Sequence, residues 1–282
     1  IAATGGLVYL AGTFIKHYGV TKAWMFIMLI IAVIMVVVGV YHYAILPNSN
    51  EDSEKKPTSL SKSMDELLKV FLDFFTKKHI VYYICFIILY RFAEGFVIKI
   101  VPLFLKAPRI SQGLGLSEQE IGVYYGTFGA AAFVIGSILA GYYIAWRGLQ
   151  KSLFSLALVF NIPFVAYTFL ALYQPNSMWL IGGGIVMEYF GYGFGFVGLT
   201  LFMMQQVAPG KHQMAHYAFA SGIMNLGVML PGMISGYICD KIGYQHFFIM
   251  VLICTIPALL ITWFVPFSYP DTTEKVKNEA TT

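Results

Sequence analysis

Hydrophobic residues in this chain do not alternate with polar ones; they run together. Eight stretches are apolar almost throughout, at 1–16, 22–46, 79–105, 118–146, 151–173, 178–207, 213–240 and 245–267, numbered here as spans one to eight. A helix needs about 20 apolar residues to cross a hydrocarbon core. Runs of this length without alternation read as membrane helices, not as strands of a barrel. The expected fold is all-α, a polytopic membrane helical bundle. The first residue is Ile1, already inside an apolar run, so span one is expected to be the cut end of a longer helix.

The connection between spans two and three, 47–78, is the one long loop. It opens with a polar stretch, "PNSNEDSEKKP", whose composition forbids a packed core. Then Met64, Leu67, Leu68, Phe71, Leu72 and Phe75 fall at helical spacing on one face, behind a capping box of Ser63 and Glu66. This segment is expected to be an amphipathic helix lying on the inner membrane surface.

Composition agrees. Hydrophobic residues make up 58% of the chain and charged residues 11%, with a mean hydropathy of +0.71. A water-exposed surface needs more charge than that. The net charge of +4 comes from short basic loops, so a nucleic-acid partner is not expected. Cys85, Cys239 and Cys254 show no metal spacing and read as apolar filler. The loop set 47–78, 147–151, 209–212 and the C-terminal tail holds eleven Lys and Arg; the other set holds Lys16, Lys22, Lys106, Arg109 and Lys241. The basic excess puts the first set, and the C-terminus, in the cytoplasm.

A short pattern recurs every third span. Span one ends in "GTFIKHYG" (Gly12 to Gly19), span four in "GYYIAWRG" (Gly141 to Gly148) and span seven in "GYICDKIG" (Gly236 to Gly243). Each is a glycine, six residues including a basic one, and a second glycine. Recurrence at matching helix ends reads as three-helix units. The first glycine is expected to let two backbones approach closely, and the second to end its helix in a left-handed cap. The charges between them, Arg147 in one copy and Asp240 and Lys241 in another, are expected to pair with neighbouring helix ends.

Charge inside the spans follows the same triplets. Span three carries Arg91, Glu94 and Lys99, and span six carries Glu188, whereas spans two, five and eight carry none in their interiors. Charge at bilayer depth is costly unless it faces a cavity or a partner. First spans are therefore expected to line a cavity, and third spans to face lipid. Arg91 and Glu94, at i and i+3, are neighbours about 18 Å along their helix, and Lys99 lies on the same broad face. Arg91 is the candidate for an anionic substrate group. Glu94 and Glu188 are the candidates for proton coupling. Asn225, His216 and Tyr217 of span seven complete the candidate cavity set. The glycines around Glu188 read as a soft helix open to bending and close packing, and Pro231 as a kink. No P-loop, zinc-ligand spacing or hydrolase triad is present in the sequence, so no cofactor, metal or catalytic residue is expected.

These features resemble the major facilitator superfamily, whose twelve helices form four triplets in inverted pairs with a cytoplasmic loop between halves. By that resemblance, 1–46 is the end of the N-terminal half-bundle, 47–78 the linker, 79–267 the C-terminal six-helix bundle and 268–282 a cytoplasmic tail. "GYYIAWRGLQK" (141–151) is similar to the family's helix-end loop motif, with Ala145 in place of the usual acid. A narrower resemblance is to AmpG-type permeases, importers of anhydro-muropeptides. It rests on "ILYRFAEGF" (88–96), "QMAHYAFASGIMNLG" (213–227) and "PGMISGYICDKIGYQHFF" (231–248), with His216 replacing a glutamine. The resemblance implies a proton-driven symporter of an organic solute in a bacterial inner membrane, working by alternating access with the rest of its N-terminal half. Its partners are then a small-molecule substrate, protons and the lipid bilayer. Acetyl-CoA transporters form a related alternative. An intramembrane enzyme using Glu188 or His216 is the rival from another class, and a non-transporting scaffold the third.

Overall fold

The computed structural model describes residues 5–45 and 60–270. Among them all regular structure is helical, and five helices are long and apolar enough to cross a membrane. The polar half of the linker, the tail beyond residue 270 and the side chain of Ser63 lie outside the described residues, as do Lys55, Lys56, Lys275 and Lys277.

Spans one and two are α1 (Leu7–Tyr18) and α2 (Val20–Ile45). The linker helix is α3 (Leu60–Phe75). Span three is not one helix but two, α4 (Ile80–Tyr90) and α5 (Phe92–Lys106). Span four is a short α6 (Glu118–Ile121), a π-helical stretch Gly122–Phe128 and α7 (Gly129–Arg147). Span five is α8 (Leu149–Asn161) and α9 (Phe164–Tyr173), divided at Pro163. Span six is α10 (Met178–Phe202), which passes into a second π-helical stretch, Met203–Val207. Spans seven and eight form one run, α11 (Gln213–Trp263), whose sole non-helical residue is Gly243. A capping box of Ser117 and Glu120, spelled by "GLSEQEIG" in the sequence, starts span four.

Packing is organised around α10 and α11. α10 lies between α7 and α8, and α11 crosses α5, α4 and α9. Glycines permit the first of these contacts. A Cβ on Gly193 would collide with the Phe133 carbonyl, and one on Gly136 with that of Phe190. Such close approach is what holds helices together where no hydrophobic force separates protein from lipid. α10 keeps helical torsions through its glycines, and the close packing expected of them is realised there. Pro231 likewise leaves α11 helical; its ring packs at Gly95 of α5. Outward faces are apolar: Leu158, Ile162, Val165 and Phe169 form an exposed stripe on span five, and Ile249, Ile253, Ile256 and Leu260 one on span eight.

The two loop sets separate to opposite ends. At one end Lys77 donates to the carbonyls of Val207 and Pro209, 2.6 and 2.8 Å away, and burial pushes its ammonium below the usual lysine range. Beside it, Gln206 accepts from the amides of Ser268 and Tyr269 and donates to the Tyr269 carbonyl. At the other end Arg109 donates to the carbonyls of Gln174 and Pro175, and Lys106 pairs with Glu118. α3 docks through Phe74 and Val70, while Met64, Leu67, Leu68, Phe71, Leu72 and Phe75 stay exposed, as a membrane-surface stripe requires.

The recurring glycine pattern is half borne out. Gly19, Gly148 and Gly243 all have positive φ, of 77°, 84° and 74°. Their ψ values of 166°, 150° and 165° are extended, so they are not helical left-handed caps. Each is a single-residue joint from which the next helix starts at once. The first glycines differ. Gly12 is pressed against Gln119, but a Cβ on Gly141 or Gly236 would meet nothing within 4 Å, so close packing is absent at those two among the described residues. Asp240 is exposed and has no hydrogen bond or ion pair among the described residues, contrary to the expected helix-end pairing. Lys241 lies over the Tyr237 ring of its own helix, at 5.8 Å, and Arg147 donates to Tyr143 one turn back. Cys85 is exposed, not core filler.

Candidate functional site

Local irregularity converges on one place. The helix of span three breaks at Arg91, whose φ of −105° and ψ of 5° lie outside the helical region. Its carbonyl still accepts from the Gly95 amide, so α5 starts immediately. The break puts Glu94 in the first turn of α5, where unpaired amides and the helix dipole favour a carboxylate. α11 crosses the break closely: a Cβ on Gly95 would meet Pro231 and Val228, and one on Gly227 would meet Ile88. Tyr90, fully buried, donates to the Gly195 carbonyl at 2.9 Å and ties the end of α4 to α10.

Arg91 and Glu94 are 5% and 4% exposed. They form a bidentate pair, Nε to Oε2 and Nη2 to Oε1, both at 2.6 Å. Nη2 also donates to the Tyr192 hydroxyl at 3.3 Å, and the guanidinium lies over the rings of Tyr192 and Phe196. Planar, two-point bonding is what guanidinium does best with a carboxylate, and it satisfies a charge that would otherwise be prohibitive at this depth.

Glu94 also lines a cavity of about 90 Å³ with Val97, Ile98, Val101, Tyr125, Glu188, Tyr189 and Tyr192. Two carboxylates from α5 and α10 therefore share one space. Tyr167 of α9 donates to Glu188 at 3.4 Å. Tyr125 comes from the π-helical stretch of span four and meets Tyr189 edge to face, ring centres 4.9 Å apart. Single π-turns recur at functional sites because they re-aim a side chain. A volume of 90 Å³ holds a few waters but not a sugar or peptide.

The pair Arg91–Glu94 and Glu188 are thus brought together. The other candidates are not. Lys99 is exposed and lays its stem beside Gly232. Asn225 is exposed on α11, and Tyr217 packs into the apolar cluster around Phe74 and Met224. His216 is buried, with Nε2 3.1 Å from the Val70 carbonyl, so it fastens α3 and does not share a site with Glu188. Tyr125, Tyr167 and Tyr189 were missed; the signal available was the presence of Tyr189 and Tyr192 beside Glu188 on one helix.

Comparison with known proteins gives the same picture. A candidate transporter, AmpG 1, of Rickettsia bellii (strain RML369-C) is 23% identical over 271 residues, covering 93% of this chain and 61% of that protein. A candidate transporter, AmpG 2, of Rickettsia prowazekii (strain Madrid E) is 25% identical over 221 residues, covering 75% of this chain and 50% of that protein. An uncharacterised protein of Haemophilus influenzae (strain ATCC 51907 / DSM 11121 / KW20 / Rd) is 22% identical over 204 residues, covering 69% of this chain and 46% of that protein. The chain spans between about half and three-fifths of the length of the first two. The family model of the Major Facilitator Superfamily matches residues 1–209, and with the helical bundle described above this chain belongs to the major facilitator superfamily.

Proposed function

We propose that this chain is the C-terminal part of a secondary active transporter, a proton-coupled symporter working by alternating access. The observation that carries the reading is the broken span three. A discontinuous membrane helix with a buried Arg91–Glu94 pair at its break, next to a second carboxylate, Glu188, is the arrangement transporters use for substrate and coupling ions. The solute is an organic anion, in the first place an anhydro-muropeptide or similar sugar–peptide, as the resemblance to AmpG-type permeases implies. Arg91 meets its anionic group, which competes with Glu94 for the guanidinium. Glu94, released, and Glu188 then exchange protons with the cavity water. Substrate volume requires another conformation or residues beyond this chain, since the cavity present is too small. The linker, tail and basic loops are cytoplasmic, and the membrane is a bacterial inner membrane.

The test uses the full-length protein in proteoliposomes, with radiolabelled anhydro-muropeptide. Glu188→Gln is expected to abolish accumulation driven by a pH gradient and to leave counterflow exchange largely intact, because exchange needs no net proton movement. Full proton-driven accumulation by both Glu188→Gln and Glu94→Gln would show that neither acid couples transport.

A further inference from the structure

Away from the carboxylate cavity, the junction of α3 with the start of α11 holds a second space. It is a cleft of about 490 Å³ lined by Glu66, Lys69, Val70, Lys211 and His212. Glu66, Lys69, Val70 and Asp73 recur at i, i+3, i+4 and i+7, so they form one face of α3. That face lies opposite Leu67 and Phe71 and meets the exposed apolar stripe at its Leu72 edge, where Leu72 is the i+3 neighbour of Lys69 and continues a ridge with Leu68 and Met64. The helix is held in this orientation by His216 on the Val70 carbonyl and by Phe74, which meets Phe219 edge to face. His212 faces Asp73, at 3.9 Å. Lys69 and Lys211 are exposed and have no ion-pair or hydrogen-bond partner among the described residues. Among the residues that line the cleft, the two lysines outnumber the one acid, Glu66.

We propose that this cleft binds the headgroup of an anionic glycerophospholipid, with the phosphate between Lys69 and Lys211 and the acyl chains along the adjoining ridge of Leu72, Leu68 and Met64. Both halves of such a molecule are matched. The cleft supplies cations at the membrane surface, where anionic headgroups lie, and the adjoining stripe supplies apolar area at acyl depth. Glu66 in the same lining selects a headgroup that carries a hydroxyl donor besides its phosphate, as glycerol does. The bound lipid would pin α3 to α11, and thus fix the linker between the half-bundles to the second half.

Native mass spectrometry of the detergent-solubilised full-length protein tests this, with dioctanoyl phosphatidylglycerol and dioctanoyl phosphatidylcholine as probes. Phosphatidylglycerol is expected to bind at least about tenfold more tightly. Lysine attraction to an anionic lipid surface is worth about fivefold in affinity per residue. Lys69→Gln/Lys211→Gln is therefore expected to weaken phosphatidylglycerol by about 25-fold and leave phosphatidylcholine unchanged. Lys241→Gln, at the opposite end, is expected to change neither. Both changed lysines are exposed, so the fold is expected to survive, and an unaltered thermal unfolding midpoint checks that. Equal binding of the two lipids overturns the proposal, as does undiminished phosphatidylglycerol binding by the double variant. Displacement of the lipid by millimolar inorganic phosphate alone also overturns it, because the site would then belong to a soluble anion.

Discussion

The buried Arg91–Glu94 pair separates structural from functional roles in one experiment. Each partner is about 95% buried and makes two hydrogen bonds of 2.6 Å to the other. Arg91→Met alone leaves a carboxylate, and Glu94→Met alone leaves a guanidinium, stranded among Tyr90, Phe196 and Val97. Removing one member of such a pair costs about 3–5 kcal/mol. The double change Arg91→Met/Glu94→Met leaves no orphan charge and fills the space with apolar volume, so it is expected to cost less than either single change. The coupling in the double-mutant cycle is then at least about 2 kcal/mol. Denaturation of the full-length protein by dodecyl sulfate in dodecylmaltoside micelles, followed by far-ultraviolet circular dichroism, measures it. Counterflow measured on the same samples then gives the role: the double variant is expected to be folded and inactive. Additive single costs would refute mutual compensation. A double variant that transports at half the wild-type rate or more would reduce the pair to a packing device.

Two further outcomes follow from particular contacts. Gly193→Leu is expected to prevent stable assembly of α7 on α10, because even a Cβ collides with the Phe133 carbonyl, whereas Gly141→Ala, in open space, is expected to stabilise its helix by about 0.5–1 kcal/mol; expression and thermal unfolding of the two variants check the contrast. Gln206→Leu removes the three hydrogen bonds that Gln206 makes to Ser268 and Tyr269 and leaves the Ser268 hydroxyl on the Tyr83 hydroxyl, so hydrogen–deuterium exchange at the Ser268 and Tyr269 amides is expected to rise while that of the Tyr83 amide in α4 stays unchanged.

Hydropathy made the spans legible because lipid demands length and apolarity from every crossing helix, and that demand is written residue by residue. Capping chemistry was legible at Ser117 for the same reason: two side chains three residues apart decide it locally. The break at Arg91 was not legible, since no glycine or proline stands there, and the crossing of α11 at Gly95 is a contact between distant segments. The depth of a residue could be counted from its place in the span, but its direction could not. Glu188 and Asn225 looked equivalent by depth, yet one enters the cavity and the other stays exposed, because rotation about the helix axis is set by the partners of α10 and α11. His216 was misread because its partner, the Val70 carbonyl, is 146 positions away and carries no sequence signal of its own. The tyrosine ring around the carboxylates assembles from three spans, which no single window of sequence contains.

The one-residue joints at Gly19, Gly148 and Gly243 have a mechanical consequence. A joint with no spare residues transmits displacement from one helix to the next: the Gly148 amide still bonds back to Ile144 while its carbonyl already receives the Ser152 amide. Spans four and five, and spans seven and eight, must therefore travel as stiff pairs. Among the described residues, the slack in the second half lies in the connections 107–117, 174–177 and 208–212 and in the interruptions at Arg91 and at Pro163. Any rocking cycle then has few degrees of freedom, and one of its pivots coincides with the residue proposed to meet the solute, so load arriving at the guanidinium would be applied at the axle itself.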